Sequence, residues 1–286
     1  MNRTINYKNK SKIIEQDDKK YLYKIKKKDN SDTYNYLRLK GFFNFLEPLS
    51  VTEKYEIYPY IEEQNMSASD KAVELINTLL LLHVKTTTYQ EVKQEKVKET
   101  YNEIKSYLTS LRNYYLDLQD FLETREFMSP AEYLLMINIS KFYKALNYSE
   151  KELDIWYEKK KKSTRERTVQ LHKNISLEHF LIADKPYILN WNNSTRDIVI
   201  YDFLEFYRKE FKSLEMISLY EQYQSKYTYT KEEQYLFFTL IAIPPKITLK
   251  KSTIVNLINV RSAVDYVNKT NNFLLKYYEK KQQTDK

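Results

Sequence analysis

The period of the apolar positions changes along this chain. In KKYLYKIK, residues 19–26, apolar and polar side chains alternate over a Tyr- and Ile-containing run, the two-residue period of a half-buried strand. YEIYPY, residues 55–60, is a second short strand, and residues 31–45 between them form a helix. From there the period lengthens. Ser69 and Asp70 offer an N-cap to a helix running through Leu75 to His83. Tyr101, Ile104, Leu108, Leu111, Tyr115, Leu118 and Leu122 then recur at strict three-four spacing. Such a seam, about three heptads long, belongs to a long helix packed against a helical partner. Ser129-Pro130-Ala131-Glu132 starts that partner, a capping box with proline at the first helical position. Ser149-Glu150-Lys151-Glu152 repeats the box ahead of Leu153 and Trp156, so residues 101–157 read as a helical hairpin plus a third helix.

Further on, FLI (residues 180–182) and YIL (187–189) flank Ala183-Asp184-Lys185-Pro186, a short hairpin with turn residues in its middle. Beyond Asp202 the pattern is helical over residues 203–211, 216–223, 232–241 and 252–278, broken once at Pro244-Pro245. Residues 282–286 form a polar tail that frays.

At 286 residues the chain buries a large core, and its composition is that of one soluble protein in one or two lobes. The absence of cysteine excludes disulfides, thiol catalysis and Cys-ligated zinc, and fits a reducing compartment. MNRTINYKNK lacks the apolar core of a signal peptide. The longest apolar run, around Leu79 to Leu82, falls far short of the ~20 residues of a membrane span. No membrane insertion and a cytoplasmic location are therefore expected. Only one glycine is present, where average usage of about 7% would give roughly twenty. A genome poor in G and C accounts for that, together with the wealth of Lys, Asn, Ile and Tyr. The physical consequence stands: Gly41 lies in a Lys-Gly-Phe-Phe turn, and no glycine-rich loop exists to cradle a phosphate.

The net charge is +8, with basic clusters at residues 24–28 and 159–167. One reading is attraction of an anionic partner such as nucleic acid. The preferred one is a solvated loop after a helix C-terminus, where lysines complement the dipole. His172 and His179, seven apart with no third ligand in view, make a poor metal pair. His83 reads as a packing residue, and no nucleophile elbow announces a Ser-His-Asp triad.

The segment from His172 to Asp202, HKNISLEHFLIADKPYILNWNNSTRDIVIYD, resembles the active-site segment of the aminoglycoside and choline kinase family. That segment reads His-Gly-Asp-x-x-x-x-Asn, then a hairpin, then Ile-Asp-Trp/Phe, then an Asp-x-x-x-x-Asp pair that braces the following helix. Here His172 stands at the His, Lys173 at the Gly, Asn174 at the catalytic Asp and His179 at the metal-binding Asn. Asn190, in Leu189-Asn190-Trp191, stands at the metal-binding Asp, and Asp197 and Asp202 match the scaffold pair. The resemblance implies an α+β, bilobal, protein-kinase-like fold. Its small β-containing lobe would span residues 1–63 and its helical large lobe 64–286, with a helical insertion at about 100–160. It sets Lys24 at the ATP-orienting lysine, makes Tyr60, Ile61 and Glu62 (through Glu63) the hinge, and matches Leu79-Leu80-Leu81-Leu82-His83 to a large-lobe helix. Residues 33–46 hold no acid to pair with Lys24, only Asp32 being near, so Lys24 reads as a solvated strand lysine.

Phosphoryl transfer needs a carboxylate beside the acceptor hydroxyl and metal ions held against the nucleotide phosphates. Asn174 is neutral and takes no proton, where general-base help is worth about 10²–10⁴-fold. Asn190 offers one carbonyl oxygen without charge, and the imidazole of His179 suits transition metals better than Mg²⁺. No catalytic residue, metal site or cofactor is therefore expected, with residual ATP binding left open. The chain resembles divergent members of spore-forming Firmicutes, spore-coat-associated kinase-like proteins among them. That likeness implies a pseudokinase acting as a binding or assembly module, with a protein partner and spore association. Two alternatives stay open: an active small-molecule phosphotransferase with unusual metal ligation, and a basic-surface anion or nucleic-acid binder, although nucleic acid is not the expected partner.

Overall fold

The computed structural model describes residues 3–7, 11–16, 19–249 and 252–284, with side chains described between residues 11 and 278. The chain folds into two compact units. Unit 1 comprises residues 1–88, 168–206 and 225–227, and unit 2 residues 89–167, 207–224 and 228–286.

Unit 1 opens with an antiparallel sheet of β1 (Arg3–Tyr7), β2 (Ser11–Gln16), β3 (Lys19–Ile25), β4 (Ser50–Val51) and β5 (Tyr55–Pro59), in the order β1-β2-β3-β5-β4. The strands read from alternation are β3 and β5, registered with Lys24 opposite Glu56 and Leu22 opposite Tyr58. Strands β1 and β2 carry too little alternation to be read alone, and ladder pairing recruits them.

Helix α1 (Ser31–Leu39) stops six residues short of the expected Phe45. Gly41 ends it, at φ +72°. Its amide donates to Arg38 O (2.8 Å) and that of Phe42 to Leu37 O (2.9 Å), the paired bonds of a Schellman cap. The one glycine of the chain thus sits where a left-handed residue is required. The turn sends Phe42 and Phe45 into the core, where both rings meet Trp191 edge-on and Phe45 stacks on Tyr34 at 5.3 Å.

Helix α2 (Ala68–Thr86) is capped by Ser67, two residues before the expected position; its hydroxyl accepts from Asp70 N (3.1 Å). Strand β6 (Thr88–Glu91) follows. Unit 2 continues with α3 (Gln94–Glu123), α4 (Pro130–Met136) and α5 (Ile139–Lys160). The predicted seam buries Leu108, Leu111, Tyr115 and Leu122. Tyr101 donates to Asp154 (2.7 Å) and Arg112 pairs with Glu150 (2.8 Å), so α3 and α5 run antiparallel. The capping box at Ser129 and Glu132 forms as read. The one at Ser149 does not. There Phe142, Leu146, Ser149, Leu153 and Trp156 keep one buried stripe, and α5 runs through without a break. The interruption falls instead at Ile137-Asn138, where α4 ends.

Strand β7 (Arg165–Leu171) leads to the hairpin β8 (Phe180–Ile182) and β9 (Pro186–Ile188), and β10 (Thr195–Asp197) pairs back on β7. Then come α6 (Ile200–Glu210), α7 (Met216–Lys226), α8 (Lys231–Ala242) and α9 (Thr253–Thr284), with the predicted proline break between α8 and α9. The predicted fraying tail is helical through Thr284, and Asp285 and Lys286 lie outside the described residues. Among the described residues no helix is long and apolar enough to cross a membrane.

Candidate active site

Strand β7 delivers the chain to His172 with its own last residues buried. The turn that follows is held by one carboxylate. Asp202, in the first turn of α6 and fully buried, accepts His172 N (2.8 Å) on Oδ2 and Lys173 N (2.8 Å) on Oδ1. His83, also fully buried at the end of α2, donates from Nε2 to Asp202 Oδ2 at 3.1 Å. Burial pushes the Asp202 carboxyl up. The hydrogen bond and charge of His83, then His172, push it down further, and the net shift is downward. The packing role read for His83 is therefore also an electrostatic one, which sequence reasoning misses because the two residues are 119 positions apart.

Lys173 adopts φ +53°, in the left-handed region. Its position corresponds to the glycine of the resembled motif, and the backbone supplies the reason. Its ammonium lies 3.3 Å from Asp197 Oδ2 and 5.5 Å from the centre of the Tyr201 ring. Asp197 Oδ1 also accepts Ile198 N (2.8 Å).

A 3₁₀ turn, Leu177–His179, and the β8–β9 hairpin bring His179 and Asn190 together. His179 Nδ1 lies 2.9 Å from Asn174 O, so Nδ1 carries the proton and Nε2 a lone pair. Asn190 donates to that lone pair from Nδ2 at 3.3 Å. Its Oδ1 accepts from Asn192 Nδ2 (2.9 Å), and Asn192 Oδ1 accepts from Asn30 Nδ2 (2.9 Å). This assignment of tautomer and amides pairs each donor with an acceptor along one neutral chain. Asn190 itself is left-handed (φ 69°, ψ 63°), a conformation that Asn tolerates better than most residues. Neither Asn30 nor Asn192 is marked by the sequence pattern; both enter through the fold.

The hairpin is fixed from two sides. Ile188 N donates to Asn44 O (2.8 Å), and Gln64 N to Ile182 O (2.9 Å). Behind it Trp191 donates to Ile188 O (2.9 Å) and meets His172 edge-on at 4.9 Å, while His172 Nε2 donates to Leu189 O (2.8 Å).

Lys24 is half-buried on β3 rather than solvated, and Glu56 faces it across the ladder from β5. Burial pushes its ammonium down, the Glu56 charge up, and Lys27 down again. Glu56 is buried and accepts from Tyr58 (3.0 Å). Burial raises the hydroxyls of Tyr58 and Tyr34, the latter to about 12. The acid near Lys24 thus comes from a strand, and α1 contributes Tyr34. Tyr60, Ile61 and Glu62 lie in an irregular stretch after β5; Tyr60 N donates to Lys20 O (3.0 Å), and Lys20 Nζ lies 4.0 Å from Glu62.

Known structures share this backbone path. The aminoglycoside phosphotransferase from Alicyclobacillus acidocaldarius superposes with a TM-score of 0.74 at 10% identity, over 98% of this chain and 92% of that one. The fold is that of an aminoglycoside phosphotransferase. Spectinomycin phosphotransferase matches too, with ADP and spectinomycin bound (TM-score 0.53, 13% identity, 95% and 92% covered) and with AMP bound (0.55, 14%, 91% and 90%). No family model matches the sequence, and neither does any curated protein. At these identities the likeness is one of fold, a kinase-like phosphotransferase fold of mixed α+β class.

This fold implies a nucleotide with a divalent cation. Mg²⁺ asks for an octahedron of hard oxygens, carboxylates foremost. The two positions that the sequence matches to metal ligands, His179 and Asn190, present an imidazole nitrogen already facing an amide, and an amide oxygen already accepting from Asn192. Among the described residues no three His, Asp or Glu side chains gather as a metal site. This donor set does not fit Mg²⁺.

Proposed function

We propose that this chain is a pseudokinase, a kinase-like phosphotransferase fold released from catalysis and working as a binding or assembly module. The contact between Asn190 and His179 carries the reading. Where a kinase of this type keeps metal-binding oxygens, these two side chains hydrogen-bond to one another within a chain of neutral groups. Asn174, at the position of the base, has no carboxylate with which to take the acceptor's proton. Any nucleotide is bound without protein-held metal.

The ion pairs made by the basic run at residues 159–167 weaken the case for nucleic acid as the partner. Lys160 pairs with Glu166 (2.8 Å), Lys161 with Glu158 (2.6 Å) and Arg167 with Glu233 (2.5 Å), which engages three of its cations. The resemblance to spore-coat-associated proteins makes assembly at a spore surface the setting we propose. A fluorescent fusion is then expected on the spore layers, and a diffuse signal throughout sporulation removes that part.

Thermal unfolding with ATP, in the presence and absence of Mg²⁺ or Mn²⁺, tests the main reading. The expected stabilisation by ATP is independent of metal, and ATP is not turned over. A metal-dependent shift of several degrees, with turnover abolished in Asn190→Ala, favours the active phosphotransferase instead.

A further inference from the structure

Unit 2 contains a cavity of about 770 Å³, bounded by α3, the end of α6, the α8–α9 loop and α9. That volume lies within the ~300–1,000 Å³ of small-molecule sites. Its walls are mostly apolar and aromatic, with Ile104 and Tyr107 from α3, Phe211 after α6, Leu240 and Ile243 from α8 and its end, and Tyr266 from α9. The loop wall is built to hold its shape. Pro244-Pro245 restricts the backbone, Tyr114 donates to Ile247 O (2.5 Å), and Tyr115 donates to Pro245 O while accepting Ile247 N (3.3 Å). Tyr266 donates to Ile241 O (2.7 Å), and its hydroxyl also meets the Arg208 guanidinium, which ties Arg208 to this wall.

The charged groups of the lining are unbalanced. Two cations, Arg208 and Lys246, stand against one acid, Glu103. Arg208 donates to Leu240 O (2.7 Å) and its guanidinium also hydrogen-bonds the Tyr266 hydroxyl, which leaves part of its five N–H groups for a ligand. Lys246 lies over the Tyr114 ring at 4.3 Å. Both are exposed, and among the described residues neither has a carboxylate within ion-pair distance. A neutral apolar ligand leaves these cations unused, and a cationic one meets repulsion from both.

We propose that this cavity binds a small amphipathic carboxylate, its apolar body against Phe211 and Tyr266 and its carboxylate on Arg208 and Lys246. All the lining residues belong to unit 2, and the proposal does not depend on the state of the catalytic segment.

Titration calorimetry of the full chain with decanoate, decanol and decyltrimethylammonium, each below its micellar concentration, tests it. Decanoate is expected to bind saturably at one site, and decyltrimethylammonium at least about tenfold more weakly. Arg208→Gln and Lys246→Gln are each expected to weaken decanoate by about tenfold, and Lys246→Gln to leave the unfolding temperature of the free protein unchanged. Tyr107→Glu, a change at a half-exposed position of α3, provides a second route should Arg208→Gln fold poorly, and is expected to weaken decanoate as well. Absence of saturable decanoate binding, equal binding of all three probes, or decanoate binding unchanged in both Lys246→Gln and Tyr107→Glu overturns the proposal.

Discussion

Asn190 sets its side-chain nitrogen 3.3 Å from Nε2 of His179, so on the proposed reading two positions that would hold metal in an active kinase of this fold hold each other here. The pair is continued by Asn192 and Asn30. Restoring oxygen ligands reverses the chemistry in steps. The double variant His179→Asn with Asn190→Asp is expected to acquire Mn²⁺-dependent stabilisation by ATP in thermal unfolding. It still lacks turnover, because Asn174 remains without a carboxylate. Turnover in this double variant means that Asn174 is no obstacle to catalysis.

The buried pair of Asp202 and His83 anchors the turn at Lys173. Asp202→Asn removes the charge that His83 and two backbone amides are arranged around, and is expected to cost about 3–5 kcal/mol in urea unfolding. The folded carboxyl lies below its ordinary 3.8, so its stabilisation is complete above that value. As pH falls through the folded value the stabilisation is lost. Wild type should therefore lose stability more steeply than Asp202→Asn below about pH 4. Parallel acid profiles for the two proteins count against this role.

At Lys173 the backbone conformation and the side chain pull in opposite directions. A left-handed non-glycine residue costs about 1–2 kcal/mol, and glycine gives back about 0.5–1 through its freer unfolded state. The Lys173–Asp197 pair is partly exposed and contributes about 0–1 kcal/mol. Lys173→Gly is thus expected to be more stable than Lys173→Ala by about 1 kcal/mol, read from denaturant midpoints. The reverse order contradicts a strained turn.

Two serines with the same local sequence signature separate cap from interior. Ser129→Ala removes a formed capping box and should cost about 1 kcal/mol. Ser149→Ala, inside the continuous α5, removes a buried hydroxyl that lacks a hydrogen-bond partner among the described residues, and should be neutral or stabilising. Comparison of the two unfolding midpoints checks both.

The serines also mark what the sequence conveys. Ser-x-x-Glu is a local pattern, but whether it caps a helix depends on whether the preceding residues leave the helical stripe, as they do at Ser129 and do not at Ser149. The seam of α3, the β8–β9 hairpin and the proline break are local periodicities and were legible. So was the order of elements from His172 to Asp202, because it is carried within 31 residues. The partnership of His83 with Asp202, the acid facing Lys24 from Glu56, and the entry of Asn30 and Asn192 into the site are long-range. They arise from pairing register and helix packing, which no short window records. The end of α1 lay between these cases: Gly41 is visible, but its left-handed role becomes definite only with the cap bonds to Leu37 and Arg38.

The most direct test of a site without metal is the water-proton relaxation rate of Mn²⁺–ATP as the protein is added. A protein that offers the metal no ligand should produce no enhancement attributable to Asn190, so wild type and Asn190→Ala should give superimposable curves. An enhancement in the wild type that disappears in Asn190→Ala would place the metal on this side chain and contradict the pseudokinase reading.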